Sequence, residues 1–119
     1  YAMNKMYHLA SCSTCVRIIK ETGAFAKLEL QDIKTEKISE MQLDEMHALS
    51  GSYEALFSRK AIKYRALGLH EQELKEQDYR RLILEEYTFL KRPVSLFANQ
   101  IFIGNDKKTV AALKEALAA

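Results

Sequence analysis

The chain contains two cysteines, Cys12 and Cys15, which lie three residues apart between a short apolar run and a helical pattern. This placement puts Cys12 where a strand ends and a helix begins. The free backbone N–H groups at a helix N-terminus favour negative charge, so a thiol there ionises more readily, and the thiolate is the reactive form. Cys15 would lie one helical turn further on, close enough to form a disulfide with Cys12. The spacing predicts a nucleophilic Cys12 with Cys15 as its resolving partner.

Two plainer interpretations of the cysteine pair stand beside this one. Both residues could be buried thiols that pack as small hydrophobic side chains. The pair could also be half of a zinc site, but such a site needs two more ligands. Only His8, His47 and His70 are available for that purpose, and there is no second cysteine pair. The position at a helix start favours reactive thiols, and no metal site is predicted.

Strand and helix patterns surround the cysteines. Residues 5–9 are typical of a short strand, and residues 13–21 of an amphipathic helix with Gly23 as its C-cap. Residues 25–33 alternate between apolar and polar side chains, which predicts a second strand. A strand, a helix and a strand within about 30 residues form a βαβ unit with parallel strands.

The second half of the chain changes from helical to strand patterns. Residues 39–89 are predicted to be mostly helical, starting with a capping box. Strand signals return after Pro93, the only proline, and residues 94–97 and 101–103 are predicted to form a hairpin before a last helix. The order of elements indicates an α/β fold of four strands with a helical insertion between the second and third strands.

The composition is that of one folded domain covering residues 1–119. Apolar residues make up 48% of the chain, enough for a core, and two cysteines do not indicate a secreted disulfide scaffold. The formal net charge of +2 does not indicate direct binding of nucleic acid. No apolar run is long enough to span a membrane and no signal peptide is visible. We therefore expect a monomeric cytoplasmic protein, in which Tyr1 and Ala2, before Met3, are candidates for a tag remnant.

Three stretches together resemble the arsenate reductase (ArsC) family, which also includes the Spx transcriptional regulators. They are Ser-Cys-Ser-Thr-Cys at residues 11–15, the segment at residues 53–69, and Phe-Leu-Lys-Arg-Pro-Val at residues 89–94, which the hairpin follows. Their order and spacing cover nearly the whole chain. The resemblance implies a thioredoxin-like (glutaredoxin-like) fold, with a four-stranded mixed sheet and the helical insertion that distinguishes the family.

The resemblance also implies roles for individual residues. Cys12 matches the nucleophile, Arg92 and Arg59 match arginines that hold the oxyanion substrate, and Pro93 matches a cis-proline that faces the cysteines. Planar guanidinium groups bind such oxygens bidentately and lower the pKa of a neighbouring thiol. A third arginine of the family pattern falls near Gly104, where this chain has none.

Cys15 distinguishes two branches of the family. The glutaredoxin-linked arsenate reductases lack this cysteine, whereas Spx-like proteins use a Cys12–Cys15 type of disulfide as a switch and bind RNA polymerase. We predict a thiol-dependent oxidoreductase that reduces a small anionic substrate, nominally arsenate, or a disulfide such as that of glutathione. The alternative is an Spx-like redox-sensing regulator. No bound cofactor is expected, and glutathione with glutaredoxin, or thioredoxin, would be the external reductant.

Overall fold

The computed structural model describes residues 4–119, so the proposed tag remnant lies outside the described residues. The chain divides into two compact units. One combines the chain up to Lys37 with Arg92–Ala119, and the other is Ile38–Lys91. The second unit contains the predicted insertion, residues 39–89. The expectation of one single domain is not tested by this division and stays a prediction.

A four-stranded mixed sheet forms the centre of the first unit, with the strand order β2-β1-β3-β4. Its strands are β1 Lys5–His8, β2 Glu29–Asp32, β3 Val94–Phe97 and β4 Gln100–Ile103. β1 pairs in parallel with β2 and antiparallel with β3, and β3 pairs antiparallel with β4. The prediction of a thioredoxin-like mixed sheet is confirmed.

Helices account for most of the remaining described chain. They are α1 Ser13–Thr22, α2 Ala24–Lys27, α3 Glu40–Ser50, α4 Ile62–Ala66, α5 Glu76–Glu85 and α6 Lys107–Ala118. In the first unit α1, α2 and α6 bury one apolar cluster with β1. Its buried members are Met6, Ile18, Ala24, Leu28, Val110, Leu113 and Leu117. Burial of this apolar surface stabilises the packing of α1 on the sheet, and so fixes the place where α1 begins.

The strand predicted for residues 25–33 is wrong in its first half. Ala24–Lys27 form the short helix α2, and the strand covers only Glu29–Asp32. Gly23 ends α1 in the left-handed conformation, with φ of +71°, and the chain resumes a helical turn directly after it. Phe25 is 68% exposed and belongs to no buried strand face. A period-two pattern this short does not distinguish a strand from one helical turn.

The second unit is helical, as predicted. α3 begins with the predicted capping box, in which Ser39 Oγ accepts a hydrogen bond of 3.1 Å from the Gln42 N–H. Arg80 of α5 donates to both carboxylate oxygens of Asp44 in α3, at 2.9 and 3.0 Å. These hydrogen bonds connect α3 to α5 within the unit. None of the helices in residues 4–119 is long and apolar enough to cross a membrane.

The turn between β3 and β4 leads to a stability prediction. Ala98 and Asn99 at its centre have positive φ angles of 53° and 62°. A Cβ in this region costs about 1–2 kcal/mol, and hairpin turns of this kind favour Gly or Asn. The greater freedom of glycine in the unfolded chain offsets part of this gain. We therefore expect Ala98→Gly to raise the free energy of unfolding by about 0.5–1 kcal/mol in urea denaturation.

The matched control is the same substitution at a helical position. Ala112 is exposed in the middle of α6, so Ala112→Gly should lower the free energy of unfolding by about 1 kcal/mol. Equal losses in the two variants would contradict the assignment of the strain to Ala98.

Candidate active site

Cys12 occupies the corner between β1 and α1, where it is the N-cap residue of α1. Its N–H donates to the Leu9 carbonyl at 3.0 Å, and its carbonyl accepts from the Val16 N–H at 3.1 Å. These backbone hydrogen bonds fix the conformation of the corner. Both cysteines are free thiols, with Cys12 partly exposed and Cys15 buried. The structure therefore presents Cys12 to a reactant and holds Cys15 behind it.

The surroundings of Cys12 favour its thiolate. Burial on its own raises the pKa of the Cys12 thiol, but the backbone N–H groups of Cys15 and Thr14 point towards its sulfur. These donors, the Cys15 thiol and the positive charge of Arg92 together lower the Cys12 pKa below its ordinary value. The free N–H groups at the start of α1 thus stabilise a negative sulfur, as expected of a helix N-terminus.

The Cys15 thiol is affected in the opposite direction. Burial raises the pKa of Cys15 to about 11, and the charge of the Cys12 thiolate contributes to the rise. The Leu9 N–H and Arg92 act against it and are outweighed. At neutral pH Cys15 is therefore a protonated thiol, beside a Cys12 thiol whose lowered pKa makes it ionise more readily. This difference is the one that a nucleophile and a resolving thiol require.

We expect iodoacetamide to alkylate Cys12 first at neutral pH, because only the thiolate reacts and Cys15 is both protonated and buried. Labelling at several pH values, followed by mass spectrometry of the two modified sites, measures the order. Cys15→Ser is the control, since it should retain the fast reaction, whereas Cys12→Ser should lose it. Faster modification of Cys15 at neutral pH would reverse the assignment of roles.

Arg92 and Pro93 lie at the same end of the sheet as the cysteines. In the antiparallel pairing of β1 with β3, Tyr7 is opposite Val94. Continuing this register by two residues brings Arg92 level with Leu9, at the corner that carries Cys12. The peptide bond between Arg92 and Pro93 is cis, as the resemblance implied. Arg92 is also close enough to act on the pKa of both thiols.

The Arg92 guanidinium has donors to spare. Its Nε and Nη1 atoms are buried and have no hydrogen-bond acceptor within residues 4–119. Buried donors of a charged group without acceptors cost free energy, which a ligand with oxygen acceptors can recover. Guanidinium groups bind carboxylates and phosphate-like oxyanions particularly well. The chemistry of the site therefore fits an anion held next to the Cys12 sulfur.

Arg59 belongs to the second unit and has an acidic partner there. Its Nη2 donates to Glu54 Oε2 at 2.7 Å and to the Tyr79 hydroxyl at 2.9 Å. The hydrogen bond to Glu54 raises the pKa of Arg59. An incoming anion would compete with the Glu54 carboxylate for this guanidinium. The substrate-binding role of Arg59 stays a prediction.

The position of the family's third arginine lies beside Pro93. The Gly104 N–H donates to the Pro93 carbonyl at 2.9 Å. Gly104 and the residues after it contain no arginine, and Lys107 and Lys108 are exposed in the first turn of α6. In this chain Arg92 is therefore the arginine that the fold places at the cysteines within the first unit.

His8 is a buried titratable residue beside the cysteine corner. The sequence pattern predicts no role for it. It ends β1, its Nδ1 is buried with no hydrogen-bond partner in the part of the chain that the structure describes, and burial lowers its pKa. Asp32 is paired with His8 in the register of β1 with β2, and its negative charge raises the His8 pKa. The sequence does contain a signal for a buried histidine near the cysteines, because His8 lies inside the predicted strand and shortly before Cys12. Among residues 4–119 no group of three or more potential metal ligands is close enough together to hold a metal ion.

The lowered pKa of His8 predicts a loss of stability in acid. Unfolded His8 titrates near its ordinary pKa of 6.5, and folded His8 only at lower pH. Below pH 6.5 the unfolded state therefore binds more protons, so the free energy of unfolding falls as the pH drops from there through the folded pKa. Well above pH 6.5 His8 is neutral in both the folded and the unfolded state, so it adds no pH dependence to the free energy of unfolding. Thermal unfolding followed by circular dichroism should show a smaller acid-induced fall in Tm for His8→Gln than for the wild type. His70→Gln is the control, and an unchanged slope in His8→Gln would contradict the prediction.

Comparisons with known proteins agree on the family and the fold. A model of the ArsC family matches residues 7–113. A solved protein called YFFB has a TM-score of 0.80 at 20% sequence identity, covering 97% of this chain and 99% of that one. An arsenate reductase from Vibrio cholerae has a TM-score of 0.76 at 15% identity, covering 97% and 98%. A possible arsenate reductase from Streptococcus mutans has a TM-score of 0.70 at 25% identity, covering 90% and 93%. A search of curated protein sequences found no match.

Proposed function

Because the chain belongs to the ArsC family of thiol-dependent oxidoreductases, we propose that it reduces an oxyanion or a disulfide with the Cys12–Cys15 pair. The observation that carries the proposal is the state of Cys12. Its pKa is lowered at the start of α1, a buried thiol lies behind it, and Arg92 offers donors without acceptors. Arsenate is the nominal substrate, because arsenate reductases are among the structural relatives.

In the first step Arg92 holds the substrate oxyanion, and the Cys12 thiolate attacks its central atom. A sulfur–arsenic bond forms and one oxygen leaves as water after protonation. The lowered pKa of Cys12 increases the share of the thiolate, which is the nucleophilic form. The positive charge of Arg92 offsets the electrostatic repulsion between the negative Cys12 thiolate and the negative substrate.

In the second step the Cys15 sulfur attacks the Cys12 sulfur. The disulfide forms, the sulfur–arsenic bond breaks, and its electron pair reduces arsenate to arsenite. The two thiols and one arsenate thus give one disulfide, one arsenite and one water. The Cys12 thiolate contributes to the raised pKa of Cys15. Once Cys12 is bound to substrate this contribution is gone, so Cys15 ionises more readily at the stage when it is needed.

An external dithiol or glutathione then reduces the disulfide and restores both thiols. By resemblance to the family, glutathione with glutaredoxin, or thioredoxin with its reductase, fills this role. Thiol–disulfide exchange would start at Cys12, because Cys12 is the more exposed sulfur. For a disulfide substrate, the Cys12 thiolate attacks one substrate sulfur, the substrate S–S bond breaks, and the other sulfur leaves as a thiolate. Cys15 then attacks the Cys12 sulfur, which forms the Cys12–Cys15 disulfide and releases the first substrate sulfur as the second thiolate.

The test is consumption of NADPH in coupled assays. Arsenate, and separately a glutathione mixed disulfide, are offered with glutathione and glutaredoxin or with thioredoxin and its reductase. We expect turnover that Cys12→Ser abolishes, and the rate of Cys15→Ser tells whether Cys15 or an external thiol resolves the intermediate. No turnover of either substrate with either reductant would contradict the proposal.

The second candidate function is an Spx-like redox switch that binds RNA polymerase. The second cysteine, Cys15, favours it, because by resemblance Spx-like proteins have a cysteine at both positions. Here the disulfide would change affinity for the polymerase without turnover. Binding of purified RNA polymerase to the oxidised and to the reduced protein tests this. Equal or absent binding in both states would eliminate the switch.

A further inference from the structure

We propose that formation of the Cys12–Cys15 disulfide strengthens the binding of an oxyanion at Arg92, because the negative charge of the reduced thiolate weakens the binding of an anion beside it. The inference rests on the proposed function and adds a regulatory property to the same site. It follows from the donors that surround the Cys12 sulfur and from the two Arg92 donors that have no acceptor in the described chain.

The thiolate and an external anion require the same positive environment. The Cys12 sulfur lies at the start of α1, within reach of the backbone N–H groups of Cys15 and Thr14. Arg92 reaches the same corner, because the register of β1 with β3 puts it level with Leu9. As long as Cys12 is ionised, its negative charge repels a second anion and occupies the backbone N–H donors of Cys15 and Thr14.

Oxidation removes this negative charge. The Cys12 thiolate and the protonated Cys15 thiol together lose two electrons and one proton as the S–S bond forms. The oxidant is the oxyanion substrate in the proposed reaction, or an oxidised cyclic dithiol reagent in the experiment below. The disulfide sulfur is neutral and a weak acceptor. The N–H groups of Cys15 and Thr14 then lose their anionic partner. They add to the buried Arg92 Nε and Nη1, which have no acceptor within residues 4–119.

The coupling works in both directions. If oxidation increases the affinity for the anion by some factor, the anion stabilises the disulfide against reduction by the same factor. An excess of anionic substrate would therefore hold the protein in its oxidised form and slow its regeneration. For an enzyme this appears as inhibition at high substrate concentration.

Few other groups interfere with a test of this coupling. The titratable groups that act on the Cys12 sulfur are Cys15 and Arg92. His8 at the end of β1, with Asp32 facing it from β2, also titrates nearby. Sulfate is the probe, since it is neither reduced by thiols nor protonated between about pH 6 and about pH 9.

The experiment measures the Kd of sulfate by isothermal titration calorimetry on the reduced and the oxidised protein. At about pH 9 we expect the oxidised form to bind sulfate about fivefold or more tightly than the reduced form, within the usual range of coupling. At about pH 6, where the Cys12 thiol is more protonated, the difference should narrow. Reduced Cys12→Ser, which has no thiolate, should bind like the oxidised wild type at both pH values. Arg92→Ala should lose sulfate binding in both redox states.

Equal affinities of the reduced and oxidised proteins at about pH 9 would overturn the inference, and so would an absence of sulfate binding in both. An independent measurement is the redox equilibrium with dithiothreitol, in which sulfate should shift the balance to the disulfide by the same factor. If the coupled assay shows turnover but sulfate binds equally to the reduced and the oxidised protein, the inference is rejected and the proposed function stands. Absence of turnover would count against the proposed function whatever the sulfate result.

Discussion

Replacing Arg92 with alanine should lower kcat/KM for an oxyanion substrate by about 30- to 150-fold, which corresponds to about 2–3 kcal/mol of lost charge-assisted hydrogen bonding. The physical reason is the pair of buried Nε and Nη1 donors that have no acceptor in residues 4–119. In the variant the substrate loses both these donors and the charge that offsets its repulsion from the Cys12 thiolate. Steady-state kinetics with the coupled assay measure the effect.

A second readout separates this role from a general loss of structure. Arg92 lowers the pKa of Cys12, so Arg92→Ala should move the pH profile of Cys12 alkylation to higher pH. Arg92→Lys should retain most of the shift in alkylation but recover only part of the kinetics, because lysine keeps the charge and lacks the planar donors. Arg17→Ala is the control, since Arg17 of α1 forms an exposed ion pair with Glu21. Equal losses in the Arg17 and Arg92 variants would remove Arg92 from the mechanism.

The second large effect concerns the packing that positions α1. Ile18 lies in the middle of α1, is 0% exposed and belongs to the apolar cluster with Met6 and Leu113. Ile18→Ala should lower the free energy of unfolding by about 2–5 kcal/mol, because the deletion loses buried apolar surface and leaves a cavity. Urea denaturation measures this loss. It is a large fraction of the stability of a domain this size.

The chain provides a matched control for this substitution. Ile62 begins the short helix α4 and is 89% exposed. Ile62→Ala should therefore change the free energy of unfolding by no more than about 0.5 kcal/mol. If the two isoleucine variants were equally stable, the apolar cluster would not be what holds α1 against the sheet.

The sequence by itself determined the class of fold and the strand-to-helix corner at which Cys12 lies. Apolar periodicity located α1, the hairpin of β3 and β4 and the helical insertion, because these signals come from residues close together in the chain. The capping residues Ser39 and Gly23 also act locally, and both were identified correctly. Cys12 at a strand-to-helix corner needed no more than this, since helix termini attract negative charge wherever they occur.

Only the tertiary structure decided what surrounds the sulfur atoms. Burial raises the pKa of Cys15, and burial depends on how α1 packs against the sheet. Arg92 lies near the cysteines through the pairing of β1 with β3, although it is 80 residues after Cys12 in the chain. The helical turn at Phe25 was predicted as strand. The sequence pattern could not reveal this, because packing determines that the Phe25 side chain is exposed. Local patterns cannot determine these features, since each depends on contacts between residues far apart in the sequence.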